Sequence, residues 1–311
     1  MKKLCTLVGC ICLSFVLLFI SCSKNNDSEQ QDQGQEQKDD NDHGSVEQDK
    51  LPVNLSFGVL VSQTKVTDNS FENGDRVGVY MAYDELQNSG NNIDNQLFSL
   101  NSGAWKTDQE FFWKDNTTSA NFYAYCPYGS PAYVSEYEFA LQADQSSMAL
   151  YKSSDFLWGR SMSVQPSKDL ISINMSHILS TFIVVLKPGE GFTAEEFAAA
   201  SKSVTFCSLK NIARVDLATG NVTAAGELVQ ITPYNTGEQF RAIVVPQETS
   251  TLYPLLIVRV SGVDFSLSQN IVFQTKTQHT LTVQVDKTLA GISLTIDGWK
   301  TDPNDYTGIA K

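Results

Sequence analysis

Apolar and polar residues alternate along the stretch that begins at Leu51. The apolar positions of this alternation are Val53, Leu55, Phe57, Val59 and Val61, and most positions between them are polar or glycine. A period of two residues is typical of a β-strand with one buried face. We therefore predict a strand over Val53–Val61, called the first strand below.

A polar, turn-rich segment separates the first strand from the next apolar run. This segment extends from Gln63 to Asp75 and contains Lys65. Val77–Tyr83 follows it and predicts a buried strand. Because the intervening segment is expected to be an exposed loop, a cut at Lys65 would separate the first strand from the body of the protein.

The rest of the chain is a series of short apolar runs with turn signals between them. One helix is predicted over Thr193–Ala200, because Thr193 can cap it and Glu196 stands at the capping-box position. Further predicted strands are Gln96–Leu100, Ala104–Thr107, Glu110–Lys114, Ala120–Tyr128, Tyr137–Ala143, Asp155–Gly159, Leu170–Asn174, His177–Leu186, Ser203–Leu209, Val215–Leu217, Glu227–Ile231, Phe240–Val245, Leu255–Val260, Asp264–Leu267, Ile271–Thr275, His279–Val285 and Gly291–Trp299.

Many short strands separated by regular turn signals are typical of antiparallel β-sandwiches. A chain of 311 residues is long enough for about two domains of roughly 150 residues each. A turn-rich stretch at Pro166 suggests where one domain ends. The sequence thus predicts an all-β protein with two antiparallel sandwich domains, over residues 51–166 and 167–311.

The N-terminal residues are predicted to be a targeting segment rather than part of the fold. Residues 1–21 combine two lysines with an apolar run and form a secretory signal. Phe19-Ile20-Ser21-Cys22 looks like a bacterial lipobox, in which the Cys22 thiol is diacylated. Residues 22–50 are polar and rich in acidic residues, which predicts a disordered tether. A plain signal peptide or a short membrane anchor is the alternative interpretation.

Charge argues against nucleic acid as a partner. The whole chain has 22 basic and 35 acidic residues, and the signal contains two of the basic and none of the acidic ones, which leaves a net charge of −15. Binding to phosphates requires clustered lysine and arginine. The mature protein is therefore not expected to bind nucleic acid.

No constellation for catalysis or metal binding emerges from the sequence. Cys126 and Cys207 lie in strand-like contexts and are predicted to be buried free thiols rather than a disulfide. His177 and His279 are isolated, and such residues are most often hydrogen-bonded core or surface residues. Asp115 and Asp302 lie near turns, where backbone hydrogen bonding is commoner than calcium binding. We predict no enzyme activity, no cofactor and no metal site.

Aromatic residues are concentrated in the first half of the chain. They suit either a sandwich core or stacking platforms for a glycan, and the core is the favoured interpretation. The residues concerned are Trp105, Trp113, Tyr123, Tyr125, Tyr128 and Trp158.

Taken in order, these elements resemble the fimbrillin family, the lipoprotein pilins of Bacteroidales-type fimbriae that include the Mfa-like proteins. The resemblance extends from Cys22 to Trp299. It rests on the lipobox and tether and on the segments FENGDRVGVY (71–80), NFYAYCPY (121–128), SDFLW (154–158), SHILSTFIVVL (176–186), DLATG (216–220) and IDGW (296–299).

The resemblance implies two transthyretin-like sandwich domains and export as a lipoprotein to the surface of the outer membrane. It also implies that a protease removes the tether and the first strand, and that a strand of another fimbrial subunit then fills the groove. In this sequence the cut would be at Lys65, where the family commonly has arginine. The donor strand, if this chain has one, would be Gly291–Trp299.

The role within a fimbria is left open by the sequence, and the chain could be a stalk, anchor or accessory subunit. The alternative hypothesis is an unprocessed, monomeric surface lipoprotein that binds a glycan or host ligand. Exposed Trp105 and Trp113 would be its binding platforms.

Overall fold

The computed structural model describes residues 50–60, 70–289 and 291–302. The predicted signal peptide, Cys22, nearly all of the predicted tether, Val61 and Lys65 lie outside these ranges. The regular secondary structure of the described residues is almost entirely β, as predicted. Its strands are β1 (Asn54–Val59), β2 (Arg76–Ala82), β3 (Ile93–Asn101), β4 (Ala104–Lys106), β5 (Ala120–Cys126), β6 (Tyr137–Ala140), β7 (Leu157–Val164), β8 (Leu170–His177), β9 (Ser180–Pro188), β10 (Lys202–Val215), β11 (Val222–Ile231), β12 (Tyr234–Asn235), β13 (Phe240–Val244), β14 (Leu256–Val260), β15 (Val263–Leu267), β16 (Thr277–Thr288) and β17 (Gly291–Asp302).

Three sheets organise these strands. The first sheet has the order β1-β8-β7-β5-β2-β3-β4, and the third has the order β12-β13-β9-β16-β17. The second has the order β11-β10-β14-β15, and β6 also pairs with β10. Strand β8 begins at Leu170, beyond the predicted domain boundary at residue 166, yet it hydrogen-bonds to β1 and β7 in the first sheet. The division into two domains stays a prediction.

Two strand pairs are parallel, which differs from the purely antiparallel sandwiches predicted. β1 pairs with β8, and β9 pairs with β16. Parallel neighbours need a long crossover connection, so no short turn between them marks their pairing in the sequence. Short turns in the sequence mark the antiparallel pairs of consecutive strands, but no such turn marks the parallel pairs.

Several predicted strands differ from the observed ones in their bounds or do not form. Glu110–Lys114 and Ile271–Thr275 form only isolated bridges, Pro52 with Phe112 and Glu248 with Val272. The predicted strand His177–Leu186 is split, because the chain passes from the first sheet to the third at buried Ile178 and Leu179. Conversely, Ser203–Leu209 is part of one long, bulged strand, β10, which ends at Val215, so the predicted strand Val215–Leu217 contributes only its first residue.

The described residues form two helices, and both are short. Helix α2 (Ala194–Ala199) has the predicted capping box, in which Thr193 Oγ1 accepts from the backbone N–H of Glu196 and the Glu196 carboxylate accepts from that of Thr193. Helix α1 (Met148–Ser153) was not predicted, because its single turn and a half is too short to show a helical period.

Apolar side chains form three clusters. One lies on the face of the first sheet to which β1 contributes Leu55 and Phe57. Another fills the space between the second and third sheets. The third joins residues of β2, β5 and β7 to residues of β6, β10 and β13, so it connects the first sheet with the C-terminal ones. Cys207 is buried and Cys126 is half-buried, and both are free thiols, as predicted.

The histidine His279 is buried in β16 and is expected to make stability depend on pH. Its Nε2 accepts from the Gln274 N–H at 3.1 Å, and burial lowers the pKa of the imidazole from 6.5 to about 4. The unfolded chain therefore binds the extra proton more readily, so stability is full above about pH 6.5 and is lost as the pH falls toward 4.

The expected loss is about 2 kcal/mol between about pH 7 and about pH 5. Urea unfolding of the wild type and of His279→Gln at both pH values measures it, because contributions from other groups cancel in the difference. Equal pH dependence in the two proteins would contradict the prediction.

Candidate functional site

The first strand lies at one edge of the first sheet. β1 runs parallel to β8, with Leu55 beside Ile171 and Phe57 beside Ile173. Beyond the strand end, the Leu60 N–H donates to the Met175 carbonyl at 2.8 Å. The described chain therefore attaches the predicted strand to the body through one ladder of backbone hydrogen bonds along β8.

Side chains of β1 fill part of the adjoining core in the predicted alternation. Leu55 is 8% exposed and Phe57 is 6% exposed, while Val53 and Val59 are half-buried. Phe57 packs edge-on against Phe98, with ring centroids 5.4 Å apart. Removing the strand would expose the apolar surface beneath these side chains to water, which is unfavourable.

The other edge of β1 is also held, by contacts that were not predicted from the sequence. The Val53 N–H donates to the Phe111 carbonyl at 2.8 Å, and the Trp113 N–H donates to the Leu51 carbonyl at the same distance. The Trp105 Nε1–H donates to the Phe57 carbonyl at 3.1 Å. Segment 105–113, called the strap below, therefore hydrogen-bonds to β1 and to the residues just before it, on the side opposite β8.

A tight hairpin places Trp105 over β1. Strands β3 and β4 are joined through Ser102 and Gly103, whose φ values of 53° and 78° are both positive, as a two-residue type I′ turn requires. The indole makes T-shaped contacts with both Phe57 and Phe71, with both centroid distances 5.0 Å. Sequence reasoning missed this role because the Trp105–Phe57 contact joins residues 48 positions apart.

The favoured core interpretation of the aromatic residues agrees with their burial. Trp113 is buried and its Nε1–H donates to the Ser167 carbonyl at 3.2 Å, and Trp158 is buried and donates to the Leu217 carbonyl at 2.8 Å. Trp105 and Tyr128 are half-buried, and Tyr123 and Tyr125 are buried. The platforms that a glycan-binding hypothesis needs are thus engaged in packing.

Two cavities flank β1. One, of about 530 Å³, lies between the beginning of the strand and the strap. The other, of about 300 Å³, lies where the strand ends and includes Cys126, Asp155 and His177 in its lining. His177 Nδ1 contacts the Asp155 carboxylate.

The second cavity does not have the electrostatics of a cysteine nucleophile. Activation requires a lowered thiol pKa, whereas burial raises the pKa of the Cys126 thiol well above its usual range. Within residues 50–60, 70–289 and 291–302, no cluster of three side chains is suited to bind a metal ion. In the same ranges, no helix is long and apolar enough to cross a membrane.

Comparisons with known proteins agree on the type of fold. A family model described as fimbrillin-like matches residues 64–299, so β1 lies just before the matched region. A candidate cell adhesion protein from Bacteroides uniformis superposes with a TM-score of 0.62 at 17% identity, over 82% of this chain and 98% of that one. Another from Bacteroides ovatus gives a TM-score of 0.64 at 14% identity, over 81% and 97%. No curated protein matches the sequence.

Proposed function

The chain belongs to the fimbrillin-like family, and on that premise we propose that it is a structural subunit of a cell-surface fimbria that assembles by donor-strand exchange. Its partners are other fimbrial subunits, and its role needs no catalysis and no cofactor. The similar Bacteroides proteins, described as candidates for cell adhesion, support a place at the cell surface.

The observation that carries the proposal is the position of β1. It is an edge strand, its Leu55 and Phe57 side chains are buried in the core, and residues 61–69 connect it to the body. Loss of this strand leaves an unpaired β8 edge beside an apolar groove. A strand from another subunit restores the backbone ladder and refills the groove, which is the physics of strand addition.

The remaining parts of the proposal concern export and processing. We propose that Cys22 is lipidated and holds the precursor in the outer membrane, with the acidic tether keeping the folded body, composed of two transthyretin-like domains, away from the lipid surface. A protease then cuts at Lys65 and releases the tether together with Val53, Leu55, Phe57, Val59 and Val61.

The N-terminus of the mature chain tests this proposal. In fibres sheared from intact cells, mass spectrometry is expected to find chains that begin at Val66. Lys65→Ala is expected to retain a lipidated Cys22 and to be missing from the fibres. Lys187→Ala, a change at an exposed residue of β9 in the third sheet, is expected to be processed normally.

Uncut, lipidated wild-type chains on cells whose fibres contain none of this protein would overturn the proposal. That result would favour the alternative of a monomeric surface lipoprotein that binds a glycan or host ligand.

A further inference from the structure

We propose that Trp105 is the specificity-determining residue of the groove, and that it selects a donor strand with an aromatic side chain at the position of Phe57. This inference rests on the proposed function and names the partner's chemistry. The donor is a strand from a different subunit that runs parallel to β8 and has an aliphatic residue two positions before the aromatic one.

The slot for Phe57 is built from ring edges and faces. Phe98 lies on one side of the ring, with an interplanar angle of 70°, and Trp105 lies on another at 88°. Both are T-shaped contacts, in which the positive edge of one ring meets the negative face of the other. An aliphatic side chain of similar size fills the space but does not offer this electrostatic match.

Trp105 also forms a hydrogen bond with the backbone at the same position. Its Nε1–H donates to the carbonyl of Phe57, the residue whose ring it contacts. The hydrogen bond and the ring contact are made together only when the strand sits in one register along β8. A slip of one residue would turn the aromatic side chain to the opposite face of the sheet. Trp105 therefore couples register to side-chain identity.

The slot does not depend on the strand that occupies it. Phe71 makes a second T-shaped contact with Trp105, with ring centroids 5.0 Å apart, and it follows the loop, so it stays with the body after a cut at Lys65. The β3–β4 turn is further held by the Gly103 N–H, which donates to Asn73 Oδ1 at 3.2 Å. The indole is thus supported from the body and is positioned before a donor arrives.

Neighbouring positions of the strand discriminate less. Leu55 lies beside Ile171 in the ladder and is buried in the same apolar cluster as Phe57, where an aliphatic side chain of similar size would fill the same space. A Cβ added at Gly58 would approach Asn174 Oδ1 only to 3.4 Å, an ordinary contact. The donor pattern that fits is therefore aliphatic, any residue, aromatic. Neither Gly291–Trp299 nor residues 300–311 contain that pattern, so the fitting donor is not a second copy of this C-terminal region.

Peptide competition on the mature chain tests the inference. The chain is cut by a sequence-specific protease whose site replaces part of residues 61–69, and labelled peptides compete with the retained strand in urea below the unfolding transition. The peptides are Val53–Val61 as wild type, Phe57→Leu and Ser56→Ala, and the segment Gly291–Trp299. Fluorescence anisotropy measures the bound fraction.

The Phe57→Leu peptide is expected to reach the same occupancy only at about tenfold higher concentration than the wild-type peptide, because it loses two aromatic contacts. Ser56→Ala is expected to match the wild type, and Gly291–Trp299 to compete at least as poorly as Phe57→Leu. In a Trp105→Leu body the preference for phenylalanine over leucine is expected to fall to about threefold or less.

A Trp105→Phe body is expected to keep most of the preference, since it retains a ring, while binding the wild-type peptide about threefold more weakly. Equal binding of the Phe57→Leu and wild-type peptides to the native body would overturn the inference alone, and this comparison needs no altered body. So would a tenfold preference that survives Trp105→Leu. Failure of the wild-type peptide to enter at all would overturn the proposed function as well.

Discussion

Phe156→Ala is expected to lower the free energy of unfolding by about 4 kcal/mol. Phe156 is 0% exposed and lies at the centre of an aromatic group. Its ring stacks on Tyr125 at 5.9 Å and contacts Phe139 at 5.1 Å and Tyr137 at 5.8 Å. Truncation removes these contacts and leaves a cavity that several surrounding strands cannot collapse to fill.

The cluster around Phe156 includes side chains from both predicted domains, so the same variant tests their independence. We expect one unfolding transition, at a lower urea concentration, with circular dichroism and tryptophan fluorescence coincident. Met162→Ala on β7 is the control, since Met162 is 46% exposed, and is expected to change stability by less than about 0.5 kcal/mol. Two separated transitions in the variant would show that the halves unfold independently.

Phe57→Ala is expected to destabilise the uncut chain by about 3 kcal/mol. Phe57 is 6% exposed and contacts both Phe98 and Trp105, so its loss empties the slot between them. The loss should be smaller than that of Phe156→Ala because an edge strand can shift to close part of the cavity. It should also be local, since Phe57 belongs to the cluster under the first sheet.

Urea unfolding gives the magnitude, and native-state hydrogen exchange gives the location of the effect. The Leu60 N–H, which donates to the Met175 carbonyl, is expected to exchange faster in Phe57→Ala. The exchange rates of amides in β14 and β16 should change only as far as the free energy of global unfolding changes. Ser56→Ala is the matched control on the opposite face of β1. An unchanged rate at Leu60 would mean that Phe57 does not hold the strand in place.

The two variants probe different requirements of the donor-strand exchange proposed above. The body must stay folded while the groove is emptied and refilled, which favours a large shared core such as the one around Phe156. The first strand must protect the groove beforehand and still be replaceable. A ladder along one edge and a few contacts from the strap along the other suit that intermediate strength.

Local chemistry made several features predictable. Alternation at Val53, Leu55, Phe57 and Val59 predicted β1, since a strand places every second side chain on the same face. The pairing of Thr193 with Glu196 predicted the start of α2, because capping is made by residues three positions apart. The burial of most of the aromatic residues followed from the same reasoning about apolar surface.

What the sequence by itself determined was the class of structure, the family and the position of the first strand. Only the tertiary structure decided that β1 runs parallel to β8, that β8 belongs to the first sheet, and that Trp105 grips Phe57. The physical reason is the range of the interactions. Hydrophobic periodicity and helix capping depend on residues a few positions apart. The β1–β8 ladder and the Trp105–Phe57 contact join segments that only the folded chain brings together.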